Sequence, residues 1–141
     1  MPRECLRLLE AADAIVHTGD FTAASVLLDL EGYGPVTAVQ GNMDDAELRS
    51  LLPERATAEL EGVRIGVVHD GGPATGRHQR LRELFPDCDL VAYGHSHLPE
   101  VSRDLRGWIV NPGSPTERRR APRHTMVVIE GGEPHLVTLS R

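Results

Sequence analysis

Apolar and polar positions along the chain fall into two regimes. In the first, helical spacing alternates with short apolar runs. Leu6, Leu8, Leu9 and Ala12 recur at near-helical intervals behind Pro2, a residue suited to a first helical turn. Ala14, Ile15 and Val16 then form a short buried strand, ended by Thr18-Gly19-Asp20. Thr22 to Leu30 predicts a second helix, stopped by Gly32 and Gly34. Val36 to Val39 predicts a second short strand ended by Gly41-Asn42, and Asp44 or Asp45 can cap a brief helix carrying Leu48, Leu51 and Leu52.

In the second regime, strands dominate. Ala56, Ala58 and Leu60 alternate up to a turn at Glu61-Gly62, and Val63 to Val68 returns as the partner of a hairpin. Residues 77 to 85 predict an amphipathic helix with Leu81, Leu84 and Phe85 inward. Leu90 to Tyr93 is a buried strand running into Gly94-His95-Ser96-His97. Val101 to Leu105, Trp108 to Val110, Met126 to Ile129 and His135 to Leu139 follow as strands, punctuated by Asn111-Pro112-Gly113-Ser114 and Gly131-Gly132. Helix and strand alternate first and strands follow, so an α/β sandwich with mixed sheets is expected rather than a doubly wound fold. No repeat or linker interrupts residues 1–141, which are expected to form one domain.

Composition narrows the chemistry. The chain has 141 residues, a formal charge of −6 and no lysine, all 15 basic residues being arginine. A P-loop lysine, a Schiff-base lysine and a lysine general base are therefore excluded. The acidic balance argues against a nucleic-acid partner, because counterion release needs clustered positive charge. Arg118-Arg119-Arg120, flanked by Glu117 and Pro122, is expected to be a solvated loop. Cys5 and Cys88 are far apart in sequence and are expected to be reduced thiols. No apolar run is long enough for a membrane span and no signal-like segment opens the chain, so a cytoplasmic location is expected.

The candidate chemistry sits at strand ends. One apolar strand ends in Asp20, the next in Asn42, the hairpin strand in His69, and the Leu90–Tyr93 strand in His95 and His97. Carboxyl ends of parallel strands converge on one edge of an open sheet, where ligands bind. Carboxylate, amide and imidazole delivered there suit a borderline divalent metal. Taken singly, Asp20 could be a helix cap, Asn42 a turn residue and His69 a hydrogen-bonded loop histidine. His95 and His97, two apart in an extended segment, are expected to face one side, which favours a metal. A serine hydrolase is disfavoured, because Ser96 and Ser114 lie in no Gly-x-Ser-x-Gly turn.

Gly19-Asp20, Gly41-Asn42-Met43-Asp44, His69 and Gly94-His95-Ser96-His97, in this order, resemble the calcineurin-like metallophosphoesterases. Ile15-Val16-His17-Thr18-Gly19-Asp20 and Val110-Asn111-Pro112-Gly113-Ser114-Pro115 resemble the small YfcE-type phosphodiesterase branch, to which the retromer subunit of this fold is also similar. The resemblance implies an α/β/β/α sandwich, two mixed sheets flanked by helices. It also implies a binuclear site. Asp20 would bridge, Asn42, His69 and His95 would complete one metal's set, and His97 would belong to the other with an Asp-x-His motif. No Asp-x-His occurs in the sequence. The first strand of the fold is therefore expected to be missing, through a downstream-assigned start, a shortened chain or natural variation. Two divalent ions are expected in an intact site and one in this chain, with Mn, Fe, Ni, Co and Zn all open.

The implied activity is hydrolysis of small phosphodiesters by a metal-bridging hydroxide, with Asp20, Asn42, His69, His95 and His97 as the catalytic and metal-holding set. His17 and Asp44 are expected to support those ligands from behind. Met43 stands where many larger relatives carry a histidine that protonates the leaving group, which implies esters with good leaving groups or protonation by solvent. Asp70 would bind a substrate group or cap its loop. The implied partner is a small phosphoester, without nucleic acid or membrane, and homodimerisation is compatible with it. The alternative is a scaffold or binding protein of the same fold, catalytically impaired, with one depleted metal site.

Overall fold

Residues Leu90–Tyr93 are buried along their whole length, and their alternation organises the molecule. The computed structural model describes residues 3–19, 24–41, 46–60, 62–96, 98–113, 124–130 and 132–139. Its helices are α1 (Arg3–Ala11), α2 (Ala24–Glu31), α3 (Ala46–Leu51) and α4 (Arg77–Leu84). Its strands are β1 (Ile15–His17), β2 (Val36–Ala38), β3 (Arg55–Leu60), β4 (Val63–Val68), β5 (Leu90–Tyr93), β6 (Glu100–Asp104), β7 (Gly107–Asn111), β8 (His124–Glu130) and β9 (Glu133–Leu139).

Five strands form one mixed sheet in the order β3-β4-β5-β7-β6. β4, β5 and β7 run parallel, and the antiparallel β3 and β6 form its edges. On one face Leu90 and Ala92 of β5 join Ile65, Val67 and Val110 in an apolar cluster. On the other, Val91 and Tyr93 join Ile109, Leu81 of α4 and Phe85, the residue after that helix. A strand covered on both faces reads as a continuous apolar run, which is how β5 reads.

The second layer consists of two strand pairs, β1 parallel to β2 and β8 antiparallel to β9. Both pack round one cluster that joins Ile15 and Ala38 to Leu139, Met126 and Val137. Cys5 and Leu9, one helical turn apart on α1, and Leu30 on α2 close it from outside. Val16, the neighbour of Ile15, faces the large sheet instead. The layers therefore run helix, small strand pairs, large sheet, helix. This is the expected sandwich, with the second sheet divided into two pairs rather than continuous among the described residues.

Two local expectations fail around one ion pair, between a buried arginine and an exposed aspartate. Leu84 was expected inward on α4 but is 37% exposed, while its neighbour Arg82 is buried. The Arg82 guanidinium donates to Asp104 at 3.0 Å, and this pairing makes burial of a charge tolerable. Asp104 also accepts the backbone N–H groups of Arg106 and Gly107. That side-chain turn ends β6 before Leu105, which was expected in the strand and is fully exposed.

Burial pushes the Cys5 and Cys88 thiols above their ordinary value, which suits inert reduced cysteines. Among the described residues no helix is long and apolar enough to cross a membrane.

Gly66 on β4 is required by the packing between sheet and α4. A Cβ there would lie 2.5 Å from the ring of Phe85. Gly66→Ala should destabilise the fold by about 1–3 kcal/mol through overpacking, read as a lower denaturation midpoint.

Candidate metal centre

The parallel strands deliver their carboxyl ends to one edge, and loops from both layers meet there. Thr18 and Gly19 follow β1, Gly41 follows β2, His69 follows β4, Gly94-His95-Ser96 follow β5, and Asn111 ends β7. Contact between the loops is tight. A Cβ on Gly19 would lie 2.7 Å from Nδ1 of His69 and 3.0 Å from the Gly41 backbone. A Cβ on Gly94 would lie 2.6 Å from Oγ1 of Thr18. Gly19 also has φ 104°, a region that side-chain-bearing residues rarely adopt.

His69 is 4% exposed. Its Nδ1 lies 2.7 Å from the carbonyl oxygen of Thr18. A carbonyl can only accept, so Nδ1 carries the proton and Nε2 presents its lone pair. That lone pair points towards His95, whose Nδ1 is 3.3 Å away. The two rings meet edge to face at 82°. His95 has φ 72°, and it is the one non-glycine residue with positive φ among those described. A left-handed backbone costs a side-chain-bearing residue about 1–2 kcal/mol. The turn is held regardless: Gly94 donates to the His69 carbonyl at 2.8 Å, and Ser96 N–H to the Gly94 carbonyl at 3.0 Å.

Asn111 is fully buried and completes this support. Its amide nitrogen donates to the Gly94 carbonyl and to Oγ of Ser96, both at 3.3 Å. Its oxygen accepts the Gly113 N–H at 3.0 Å.

The expected ligands are thus brought together in part. His69 and His95 converge. Asp20, Asn42, Asp44 and His97 lie outside the described residues, as do Met43, Ser114 and Arg118-Arg119-Arg120. Their neighbours Gly19, Gly41 and Ser96 belong to the convergent loops. Among the described residues no group of three or more metal-ligating side chains forms. The extended segment expected at His95 is absent, because the left-handed backbone there turns the chain away from strand geometry. His17 supports the loop by accepting the Gly19 N–H on Nδ1 at 3.0 Å. Asp70 caps its own loop, accepting the Gly72 N–H at 2.8 Å. Asn111 acquired no role from the sequence. Its signal was the one that marked Asn42, an amide closing an apolar strand before a turn.

The pair is closed here by a hydrogen bond from His95 Nδ1 to His69 Nε2, and its spacing is also what a shared divalent ion would need. Two nitrogens each ~2.0–2.1 Å from one ion stand about 3.3 Å apart when the bonds meet near the tetrahedral angle. Metal-bound histidines also donate their second ring N–H to a carbonyl or carboxylate, as His69 does to Thr18.

A polar cluster lies behind His95 and was not legible in the sequence. The Tyr93 hydroxyl donates to Glu100, which also accepts from Ser102 at 2.7 Å and pairs with His78 at 2.8 Å. Burial first, then the Glu100 hydrogen bond and charge, push the Tyr93 phenol up to about 12, against the pull of Arg77. For Glu100, burial raises the carboxyl, but hydrogen bonds from Tyr93, Ser102 and His78 outweigh it and hold the group below its ordinary value.

A depressed carboxylate stabilises the fold above its unfolded-state value, and that contribution is lost as pH falls through the folded-state value. Thermal melts should therefore show Glu100→Gln less stable than wild type at pH 6, with the gap closing as pH falls below the ordinary 4.5 of glutamate. His95→Gly should be more stable than His95→Ala by about 1 kcal/mol, because glycine accepts positive φ without strain. Equilibrium denaturation measures that difference.

Comparisons with known proteins agree with this fold. The model of the calcineurin-like phosphoesterase superfamily domain matches residues 1–133. A probable metallophosphoesterase of Methanothermobacter thermautotrophicus is 34% identical over 136 residues, covering 94% of this chain and 78% of that protein. A zinc-complexed Vps29 from Entamoeba histolytica has the same fold, with a TM-score of 0.75 at 19% identity over 99% of this chain and 89% of that one. So does a structure described as a novel archaeal phosphodiesterase, with a TM-score of 0.71 at 17% identity over 98% and 95%. The chain belongs to the calcineurin-like phosphoesterase superfamily.

Proposed function

We propose that the protein is a metal-dependent phosphodiesterase acting on small phosphodiesters. The observation that carries this reading is the convergence of His69 Nε2 on His95 Nδ1 at 3.3 Å, with the His69 tautomer set by Thr18. Bound divalent ions would polarise the phosphoryl oxygens and lower the pKa of a water. With the Nδ1 proton committed to Thr18, a neutral His69 ring would offer Nε2 to such an ion. His95 is held in a turn braced by the surrounding hydrogen bonds. On the sequence-based reading Asp20, Asn42 and His97 complete the set, with Asp20 shared between two ions. Family membership implies divalent metals. Their number, and the choice among Mn, Fe, Ni, Co and Zn, are part of the proposal.

Met43, where larger relatives carry a proton-donating histidine, directs the activity to substrates with good leaving groups. A missing general acid typically costs ~10²–10⁴ in rate, least where the leaving group needs no proton.

Bis(4-nitrophenyl) phosphate should be hydrolysed with Mn²⁺ and not after chelation. His69→Ala and Asp20→Ala should each lose activity, while His69→Ala also lowers Mn²⁺ binding measured by calorimetry. Absence of metal-dependent turnover would overturn the reading. The fold shared with the Vps29 structures favours a second reading, a scaffold that retains metal without turnover. A chain that takes up metal and leaves every phosphodiester intact would support it.

A further inference from the structure

Two segments must stay in register if His69 and His95 are to face one another: the loop after β4 and the end of β5. Arg77 on α4 touches both. Its Nε and one terminal nitrogen donate to the Gly72 carbonyl at 3.2 and 3.0 Å. The other terminal nitrogen donates to the Tyr93 hydroxyl at 3.2 Å. The guanidinium carbon lies 5.0 Å from the Tyr93 ring centroid. Gly72 is tied back towards His69 through the Asp70 cap, and Tyr93 stands two residues before His95. Gly71 is packed between them, since a Cβ there would lie 3.2 Å from the Tyr93 ring and 3.3 Å from the Arg77 stem. Glu100 fixes the far side of the Tyr93 hydroxyl.

We propose that Arg77 is a positioning residue that sets the spacing of the His69–His95 pair by bridging the Gly72 carbonyl to the Tyr93 hydroxyl. This rests on those imidazoles being metal ligands. A planar guanidinium can serve two acceptors in different directions, whereas an ammonium is a single point of charge. Arg80 supplies the internal comparison. It clasps the same loop through the Gly71 and Pro73 carbonyls at 3.0 and 2.6 Å, and its described hydrogen bonds do not reach β5.

Arg77→Lys, Tyr93→Phe, the double variant and Arg80→Lys test the bridge in the full chain. Mn²⁺ affinity should fall about 10–100-fold in Arg77→Lys, as for residues that orient a ligand from behind. Tyr93→Phe keeps the ring and should fall similarly, and the double variant should fall less than the product of the two. Arg80→Lys should bind Mn²⁺ as wild type does. Nitrogen–proton spectra of the imidazoles in metal-free protein give a second readout. The His69 and His95 signals should move in Arg77→Lys and stay in place in Arg80→Lys, with amide exchange at Ile65 and Val67 showing the sheet intact. Wild-type affinity and unmoved imidazole signals in Arg77→Lys would overturn the proposal, as would equal effects from Arg80→Lys. If wild type binds no Mn²⁺ yet Arg77→Lys moves the imidazole signals, the metal reading fails while the bridge stands.

Discussion

The hydrogen bond between His69 and Thr18 ties the two strand layers together at the edge where the loops meet. His69 belongs to the large sheet and the Thr18 carbonyl to the loop of the small parallel pair, and they meet at 2.7 Å. Because the acceptor is a carbonyl, the bond fixes the ring's tautomer as well as its place. It also dictates the absence of a side chain at Gly19, whose Cβ would occupy the same space. The alignment of the second layer on the first and the chemistry of the histidine are therefore one problem. A shift of either sheet by a fraction of an ångström would be felt at the ring nitrogen, since packed interiors transmit small displacements rather than absorb them.

The opposite side of the pair is governed by a trade between local strain and surrounding support. His95 occupies a backbone region that is unfavourable for it, and the cost is met by neighbours with no reactive role. Asn111 uses both amide hydrogens and its oxygen on the turn and the residues after it. Tyr93, just before the turn, is gripped by Glu100 on one side and Arg77 on the other. Outliers of this kind persist where the surroundings over-determine them, and they cluster at functional sites. The support comes from β6, β7 and α4, so the conformation of one residue draws on three separate elements.

Much of this arrangement was legible in the chain. The apolar runs at Ile15, Val36, Val63 and Leu90 located strands whose ends carry polar groups, and His69 followed from that pattern. The hairpin at Gly62 was visible in the alternation on either side of it. Leu84 and Leu105 were misplaced because hydrophobic periodicity has no means of registering that Arg82 and Asp104 form a pair. The backbone twist at His95 was equally hidden, because neighbours distant in sequence impose it. The Arg77–Tyr93–Glu100 contacts join residues sixteen and seven positions apart, and their types are unremarkable until the fold brings them together.

The grip of Arg77 and Arg80 on the loop after β4 has a consequence beyond geometry. Both hold the loop through a planar guanidinium, which donates in several directions at once. No lysine occurs anywhere in the sequence, so no side-chain amine could take over the task or be modified in their place. Acetylation, which loosens many lysine-held loops by erasing their charge, has no side-chain foothold here. The loop's anchorage therefore lies outside the reach of lysine-directed modification.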